Sequence, residues 1–168
     1  MAIHPIDYRY GTDEMRSVWS EENKLRRMLD VEIALARAEE ATGDVPDGVA
    51  EEIADAAEDV TLERVKEIEA EIHHDVMAVV RAVEENCDDT SDAGEYIHLG
   101  ATSNDIIDTA DALRLRESCD ILEERLVALR DALVEKADEH KRTVCAGRTH
   151  GQVGVPTTWG HRFAVWAS

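Results

Sequence analysis

A glycine-rich stretch near the end of this 168-residue chain holds one histidine, His150, between segments that favour helices. Glycine permits positive φ and close approach of the backbone to a ligand, so we expect His150 to lie on a short loop between helix ends. We expect Pro156 to occupy the first turn of the following helix. The polar neighbours that could orient the imidazole and leave one nitrogen for a substrate are Arg148, Thr149 and Gln152. A satisfied loop histidine without a catalytic role is the alternative interpretation.

A second group of candidates precedes an apolar run that begins at Val76. Asp75 suits the N-cap of a helix, which would put His73 and His74 at a helix N-terminus. The helix dipole disfavours an imidazolium there but favours a bound anion. Local sequence alone equally permits one histidine that packs and one that is solvated.

A third candidate segment runs from Ile97 to Ala110 and joins a glycine-containing turn to a helix start. Thr102 or Ser103 can cap that helix, and its free N–H groups and hydroxyls form a cradle for a carboxylate or phosphate. His98 lies just before it. Capping alone would also explain the Thr-Ser pair.

Near the start of the chain, Arg9 and Tyr10 stand immediately before Gly11. An exposed arginine beside a tyrosine could hold a phosphate group. A surface arginine next to a packed tyrosine is the alternative interpretation.

The elements that must position these groups are helices. Apolar residues recur at helical spacing from Glu21 to Thr42, and Gly43 ends that helix. Pro46 is expected to begin a shorter helix and Thr61 to cap a third. The sequence therefore predicts an all-α fold.

One helix is expected to run from about Ser103 to about His140, a length of roughly 55 Å at 1.5 Å per residue. Its apolar residues recur with heptad spacing, which is typical of a helical bundle. The two rows are Leu115, Leu122 and Leu129, and Cys119, Leu126 and Leu133. These two rows form an apolar seam, and one chain offers too few long helices to cover it, so we expect self-association. Cys119 is expected to be a small core residue.

A final helix bears Trp159, Phe163 and Trp166 on one face, and the sequence stops at Ser168 with that face only begun. We therefore expect a partial or truncated polypeptide. His4 and His161 match no motif, and we expect both to be structural or solvated.

The formal net charge is −20, from 38 acidic and 18 cationic residues, of which only four are lysines. Such a field repels phosphate backbones, which argues against nucleic acid as a partner. A lysine-poor acidic surface suits a high-salt, halophilic cytoplasm, and an acidic interaction surface is the alternative.

Neither a long apolar run nor a signal-peptide pattern is present, so we expect a soluble cytoplasmic protein without membrane contact. The three cysteines match neither a disulfide framework nor a zinc site.

Four ordered segments together resemble adenylosuccinate lyases, which belong to the fumarase/aspartase superfamily. They are the pair Arg9-Tyr10, the segment His73-His-Asp-Val76, the segment from His98 through Thr102-Ser-Asn-Asp105 to Ala110, and Gly147-Arg-Thr-His-Gly-Gln152 followed by Pro156-Thr-Thr-Trp-Gly160. The resemblance implies an N-terminal helical domain over residues 1–100. It also implies that residues 101–168 begin a central helical-bundle domain, left incomplete here, of a homotetramer whose active sites draw on several subunits.

The resemblance implies cleavage of adenylosuccinate to AMP and fumarate, and of the related succinyl-carboxamide ribotide, by β-elimination without a metal or organic cofactor. His150 would be the general acid, and His74 would orient substrate and share in proton transfer. The residues implied to bind substrate are Arg9, Tyr10, His73, His74, Asp75, His98, Thr102 and Ser103. The family's catalytic base is a serine further along the chain, so we expect these 168 residues alone to be inactive.

Two alternatives remain open. Another fumarate-releasing lyase of the superfamily would share the Thr-His loop and a serine-containing helix start. A non-catalytic helical assembly fragment would retain only bundle contacts.

The charge generates a prediction about salt. Self-repulsion at a net charge of −20 destabilises the compact state, and salt shortens the Debye length from about 10 Å at 0.1 M to about 3 Å at 1 M. The melting temperature should therefore rise markedly between dilute buffer and molar KCl. A melting temperature that stays flat across that range contradicts salt adaptation.

Overall fold

A computed structural model describes residues 9–88 and 90–168, in which seven α-helices account for most of the chain. The helices are α1 Asp13–Val18, α2 Glu21–Thr42, α3 Val49–Glu58, α4 Leu62–Ile72, α5 Asp75–Glu84, α6 Ser103–Glu139 and α7 Trp159–Ala167. A short 3₁₀ helix spans Ala93–Tyr96, and two strands, β1 Val144–Thr149 and β2 Gln152–Thr158, separate α6 from α7. The expectation of a helical fold is confirmed.

The chain forms two compact units, one ending at Ser118 and the other beginning at Cys119, so the division lies inside α6. The sequence predicted a domain boundary between residues 100 and 101, at the start of that helix, and this boundary stays a prediction. No helix in the described part of the chain is both long and apolar enough to cross a membrane.

The core of the first unit lies among α2, α3, α4, α5 and the first turns of α6. Small and β-branched side chains on one face of each helix meet there, so the helices approach closely. The largest side chains that are fully buried are Ile53, Val76, Val79, Val83 and Ile106.

Two predicted helix boundaries are confirmed. Gly43 ends α2 at φ 85°, a left-handed conformation that costs glycine little. The Thr61 side chain accepts a hydrogen bond from the Arg64 backbone N–H and caps α4. A third boundary was wrong, because Pro46 lies in a turn and α3 begins at Val49, after Gly48 at φ 92°.

Helix α6 begins and ends within one residue of its predicted bounds. Its first turns are buried in the first unit through Ile106 and Ala110, each 1% exposed. The predicted seam beyond them is largely exposed, as at Leu122, Leu126 and Leu129. Cys119 is also exposed, which corrects its assignment to the core, because it lies on the same exposed face of α6 as Leu115 and Leu122.

The glycine-rich stretch is a β-hairpin rather than a loop between helix ends. β1 and β2 pair antiparallel, with Thr149 opposite Gln152 and a bulge where Gly147 faces two residues of β2. Pro156 pairs with Ala146 inside β2, which corrects its expected place at a helix start. A two-stranded ribbon consists only of edge strands, so the missing proline N–H is tolerated there.

Helix α7 begins against the end of α6. The Thr158 hydroxyl caps it, and the Gly160 N–H donates to the His140 carbonyl at 2.9 Å. A Cβ at Gly160 would lie 2.5 Å from the Ala137 oxygen and 2.5 Å from Lys141 Cα, closer than atoms can pack. Glycine at this position therefore sets the distance between the two helices.

This close approach generates a prediction. Gly160→Ala should lower the free energy of unfolding by about 1–3 kcal/mol, because backbone atoms must move apart to admit the methyl group. Thermal unfolding followed by circular dichroism measures the change. Gly154→Ala is the matched control, since its Cβ would meet its nearest neighbour, Gly147 O, at an ordinary 3.5 Å. Equal melting temperatures for the two variants would show that the contact carries no cost.

Candidate functional site

Three non-glycine residues of the described chain have positive φ, and all three are histidines selected from the sequence. They are His73 at φ 57°, His98 at φ 63° and His150 at φ 50°. A side chain in the left-handed region is uncommon and persists where the surrounding structure requires it. The three candidate segments are therefore marked by backbone geometry as well as by residue type.

His73 and His74 form the junction between α4 and α5. His73 ends α4 in the left-handed conformation and donates its N–H to the Glu69 carbonyl at 2.8 Å. The chain then turns, and His74 itself is the N-cap of α5, with Nδ1 accepting from the Met77 N–H at 3.2 Å. This corrects the assignment of Asp75 as the cap, since Asp75 is the first residue within the helix.

The cap determines where His74 carries its proton. Nδ1 must be unprotonated to accept from a backbone N–H, so the neutral ring carries hydrogen on Nε2. The ring is about half exposed, with Asp75 Oδ1 3.8 Å from Nδ1. His74 thus offers one N–H donor to solvent or a ligand at the N-terminus of α5.

His98 is paired with a carboxylate that the sequence analysis missed. Its Nδ1 lies 2.7 Å from Oε1 of Glu32, and the two side chains are 13% and 1% exposed. Burial raises the pKa of Glu32, although the hydrogen bond and charge of His98 oppose the shift. The available signal was the position of Glu32 on the apolar face of α2, where Met28 and Ala36 lie one turn on either side.

The start of α6 is a reciprocal cap. The Thr102 N–H donates to Asp105 Oδ2 at 2.9 Å, and the Asp105 N–H donates to the Thr102 carbonyl at 2.9 Å. Thr102 is exposed and Ser103 is half-buried. The predicted helix start is confirmed, and the carboxylate of Asp105, rather than a hydroxyl, makes the capping contact there.

Arg9 and Tyr10 lie just before α1, and both are exposed. Tyr10 is 62% exposed, so the alternative of a packed tyrosine is wrong. The Tyr10 carbonyl accepts from the Arg16 guanidinium, which also pairs with Asp13 at 2.5 Å. This segment presents two accessible side chains and a nearby fixed cation.

His150 and Gly151 are the two central residues of the hairpin turn. Both have positive φ, at 50° and 73°, which is the requirement of the type I′ turn that matches strand twist. The turn holds His150 exposed at the tip. Within the described residues no hydrogen bond reaches its ring, so the expected orienting contacts from Arg148, Thr149 and Gln152 are not made.

The candidates belong to separate segments of the chain. His73, His74 and Asp75 share one helix junction, and His98, Thr102 and Ser103 share one helix start, both in the first unit. No hydrogen bond or ion pair between described residues joins these two segments. His150 belongs to the second unit, and His4 lies outside the described residues. Across 9–88 and 90–168, no group of three or more His, Cys, Asp or Glu side chains could hold a metal ion.

Residues 7–168 match a protein-family model described as "Lyase". An adenylosuccinate lyase of Methanocaldococcus jannaschii is 60% identical over 170 residues, which span 100% of this chain and 36% of that protein. An adenylosuccinate lyase of Pyrococcus abyssi is 60% identical over 168 residues, 99% of this chain and 37% of that protein. The crystal structure of a fumarate lyase from Mesorhizobium sp. BNC1 is similar at 34% identity and a TM-score of 0.84, covering 94% of this chain and 38% of that one. The chain thus spans little more than a third of the length of the proteins that it matches.

The cap at His74 generates a prediction about stability. His74→Ala should lower the free energy of unfolding by about 0.5–2 kcal/mol, because the Met77 N–H loses its acceptor. His74→Asn should stay close to wild type, since asparagine is among the best N-cap residues. Denaturant unfolding followed by circular dichroism measures both. Equal stability of the alanine and asparagine variants would show that the imidazole does not cap α5.

Proposed function

The chain belongs to the lyase family, and on that premise we propose that it is the N-terminal portion of an adenylosuccinate lyase. The reaction proposed is β-elimination, in which adenylosuccinate gives AMP and fumarate. The related succinyl-carboxamide ribotide of purine synthesis would give its own amine and fumarate. A cytoplasmic location fits this nucleotide chemistry.

The observation that carries the proposal is the position of the three left-handed histidines. His73, His98 and His150 lie in three of the four segments whose sequences resemble adenylosuccinate lyases. Family resemblance and backbone geometry are independent criteria, and they select the same places. Such conformations are enriched at functional sites, which supports the proposal beside their roles in capping and turn formation.

The elimination needs a base that takes a proton from the carbon beside a carboxylate and an acid that protonates the departing nitrogen. We assign the acid to His150. The hairpin tip exposes its ring, and the turn geometry fixes the backbone beneath it. The base is assigned to the family's serine, in the part of the relatives that extends beyond this match.

His74 is assigned to substrate orientation, with a share in proton transfer. Its capping contact leaves an Nε2–H donor at the N-terminus of α5, where the helix dipole favours an anion. A carboxylate or phosphate oxygen of the substrate is therefore the expected partner. His73 and Asp75 flank it as further binding groups, since both belong to the same junction.

The remaining binding residues are assigned to the substrate's anionic groups. Thr102 and Ser103 stand at the N-terminus of a 37-residue helix, where free N–H groups favour negative charge. His98 lies immediately before them. Arg9 and Tyr10 are accessible and are assigned to the nucleotide portion.

The site is proposed to be completed by other copies of the chain in a homotetramer. Leu122, Leu126 and Leu129 are between 53% and 63% exposed on one helix of the second unit. Apolar seams of this kind are buried when helices associate into bundles. The proposed domains are a helical domain over 1–100 and a bundle domain that begins at 101–168.

The competing hypothesis is a helical assembly module without activity. Reading the coding sequence past Ser168 separates the two at once. A downstream segment that encodes a serine-containing flexible loop would support the enzyme hypothesis. A stop codon directly after Ser168 would support the hypothesis of an inactive assembly module.

In the complete polypeptide, His150→Ala should lower kcat by a factor on the order of 10² to 10⁴, the usual contribution of a positioned acid or base. The absorbance change on conversion of adenylosuccinate to AMP measures turnover. His161→Ala is the matched control, because His161 is an exposed histidine of the same unit that matches no motif. A near-normal kcat for His150→Ala, with unchanged helicity, would end the assignment of the acid.

A further inference from the structure

We propose that Glu32 is a positioning residue that fixes the protonation of His98, so that Nε2 of the imidazole is presented to the substrate in one defined state. The proposal rests on the proposed function, because it takes His98 to be a substrate-binding group. Glu32 belongs to none of the four motif segments identified in the sequence, and it makes no contact with substrate in this role.

The geometry is that of a buried carboxylate and imidazole pair. Oε1 of Glu32 lies 2.7 Å from Nδ1 of His98, within the range of a strong charge-assisted hydrogen bond. Glu32 is 2% exposed although it stands on a helix whose neighbouring buried positions are apolar. A carboxyl group in such a place is costly unless it is paired. His98 is the partner that makes its burial tolerable.

The pair restricts where protons can reside. In the state with two protons, one lies between Oε1 and Nδ1 and the other is on Nε2. This holds whether the first proton is bonded to the Glu32 carboxyl group or to the His98 ring. When the pair loses one of these two protons, the neutral ring carries hydrogen on Nδ1, which donates to the Glu32 carboxylate. Nε2 then has no hydrogen and becomes an acceptor. In both states Nδ1 is committed to Glu32, so only Nε2 remains for a ligand.

The environment of Glu32 favours the state with the additional proton. Burial raises its pKa, and the negative charge of Glu39, seven residues later on α2, adds to the rise. Oε2 of Glu32 is buried without a hydrogen-bond partner among the described residues, so no other donor stabilises the carboxylate. These features favour the shared proton, and with it an Nε2–H donor suited to an anionic substrate.

The pair also ties the loop before α6 to α2. His98 stands at φ 63°, and its carbonyl accepts from the Ala101 N–H at 3.3 Å to close a turn. Thr102 follows directly and begins the cap of α6. The hydrogen bond to Glu32 therefore holds the left-handed residue at the start of the anion-binding segment.

The test uses Glu32→Gln in the complete polypeptide. The amide keeps the size of the side chain but carries no charge and can either donate to or accept from Nδ1, so it no longer specifies the protonation of the ring. We expect kcat/KM for adenylosuccinate to fall about 10- to 100-fold, as when other orienting carboxylates are removed from functional histidines. The melting temperature should not fall, because an uncharged side chain is easier to bury.

A second measurement reports on His98 without depending on activity. Long-range ¹H–¹⁵N spectra of histidine-labelled protein, assigned by comparison with His98→Asn, give the hydrogen on each ring nitrogen. In the wild-type spectrum, His98 should be in a single form with Nδ1 hydrogen-bonded to Glu32. In the spectrum of Glu32→Gln, His98 should show both neutral tautomers. An unchanged His98 ring in Glu32→Gln would overturn the proposal. If the wild-type enzyme does not act on adenylosuccinate, the proposed function fails, and the spectra still decide the role of Glu32.

Glu40→Gln is the matched control. Glu40 is on the same helix, but its carboxylate accepts from the Ala50 N–H and makes no hydrogen bond to His98. Its kcat/KM and its His98 spectrum should match wild type, and a loss equal to that of Glu32→Gln would overturn the specific pairing.

If Glu32→Gln fails to fold, Glu32→Asp keeps the charge on a shorter side chain. It should give a smaller loss of kcat/KM with one ring tautomer, and two tautomers in that variant would contradict the proposal.

Discussion

The burial of the first turns of α6 in the first unit is the contact on which the rest of the structure depends. Ile106 and Ala110 are almost fully enclosed, so the helix cannot shift along its axis without opening the core. That contact fixes the turn from His98 to Thr102, which leads directly into α6. One helix therefore contributes to the core of the first unit, carries the proposed anion site at its N-terminus and carries the proposed assembly surface further along.

The buried part of α6 also carries a cation, Arg114. Arg114 is 7% exposed, and its charge is compensated by Asp111 at 2.8 Å, by the Val18 carbonyl at 3.2 Å and by the Trp19 ring at 4.4 Å. The Trp19 N–H in turn donates to the Ser118 hydroxyl at 3.0 Å. Removing one partner of such a group leaves a buried charge unpaired. The segment that joins α1 to α2 is thus held on α6 by polar contacts as well as by apolar packing.

Sequence patterns predicted the elements whose boundaries depend on neighbouring residues. The left-handed Gly43, the Thr61 cap and the bounds of α6 follow from local chemistry and periodicity, and all three are confirmed. The hairpin was missed because the glycines and Pro156 that favour a loop are equally compatible with a bulged two-stranded ribbon and its type I′ turn. Glu32 was missed because its partner is 66 residues away, and its place on the apolar face of α2 does not show which group it pairs with.

The net charge limits how the proposed binding groups could attract an anionic substrate. A chain at −20 repels a substrate with several negative groups, and the repulsion acts over a Debye length of about 8–10 Å at ordinary ionic strength. A local site must overcome that field with charges and dipoles that lie closer than the surrounding carboxylates. The proposed sites would meet this requirement with the helix dipoles at the starts of α5 and α6 rather than with arginine or lysine. The Nε2–H left by the cap at His74 and the Nε2–H proposed for His98 would add donors beside the same helix starts.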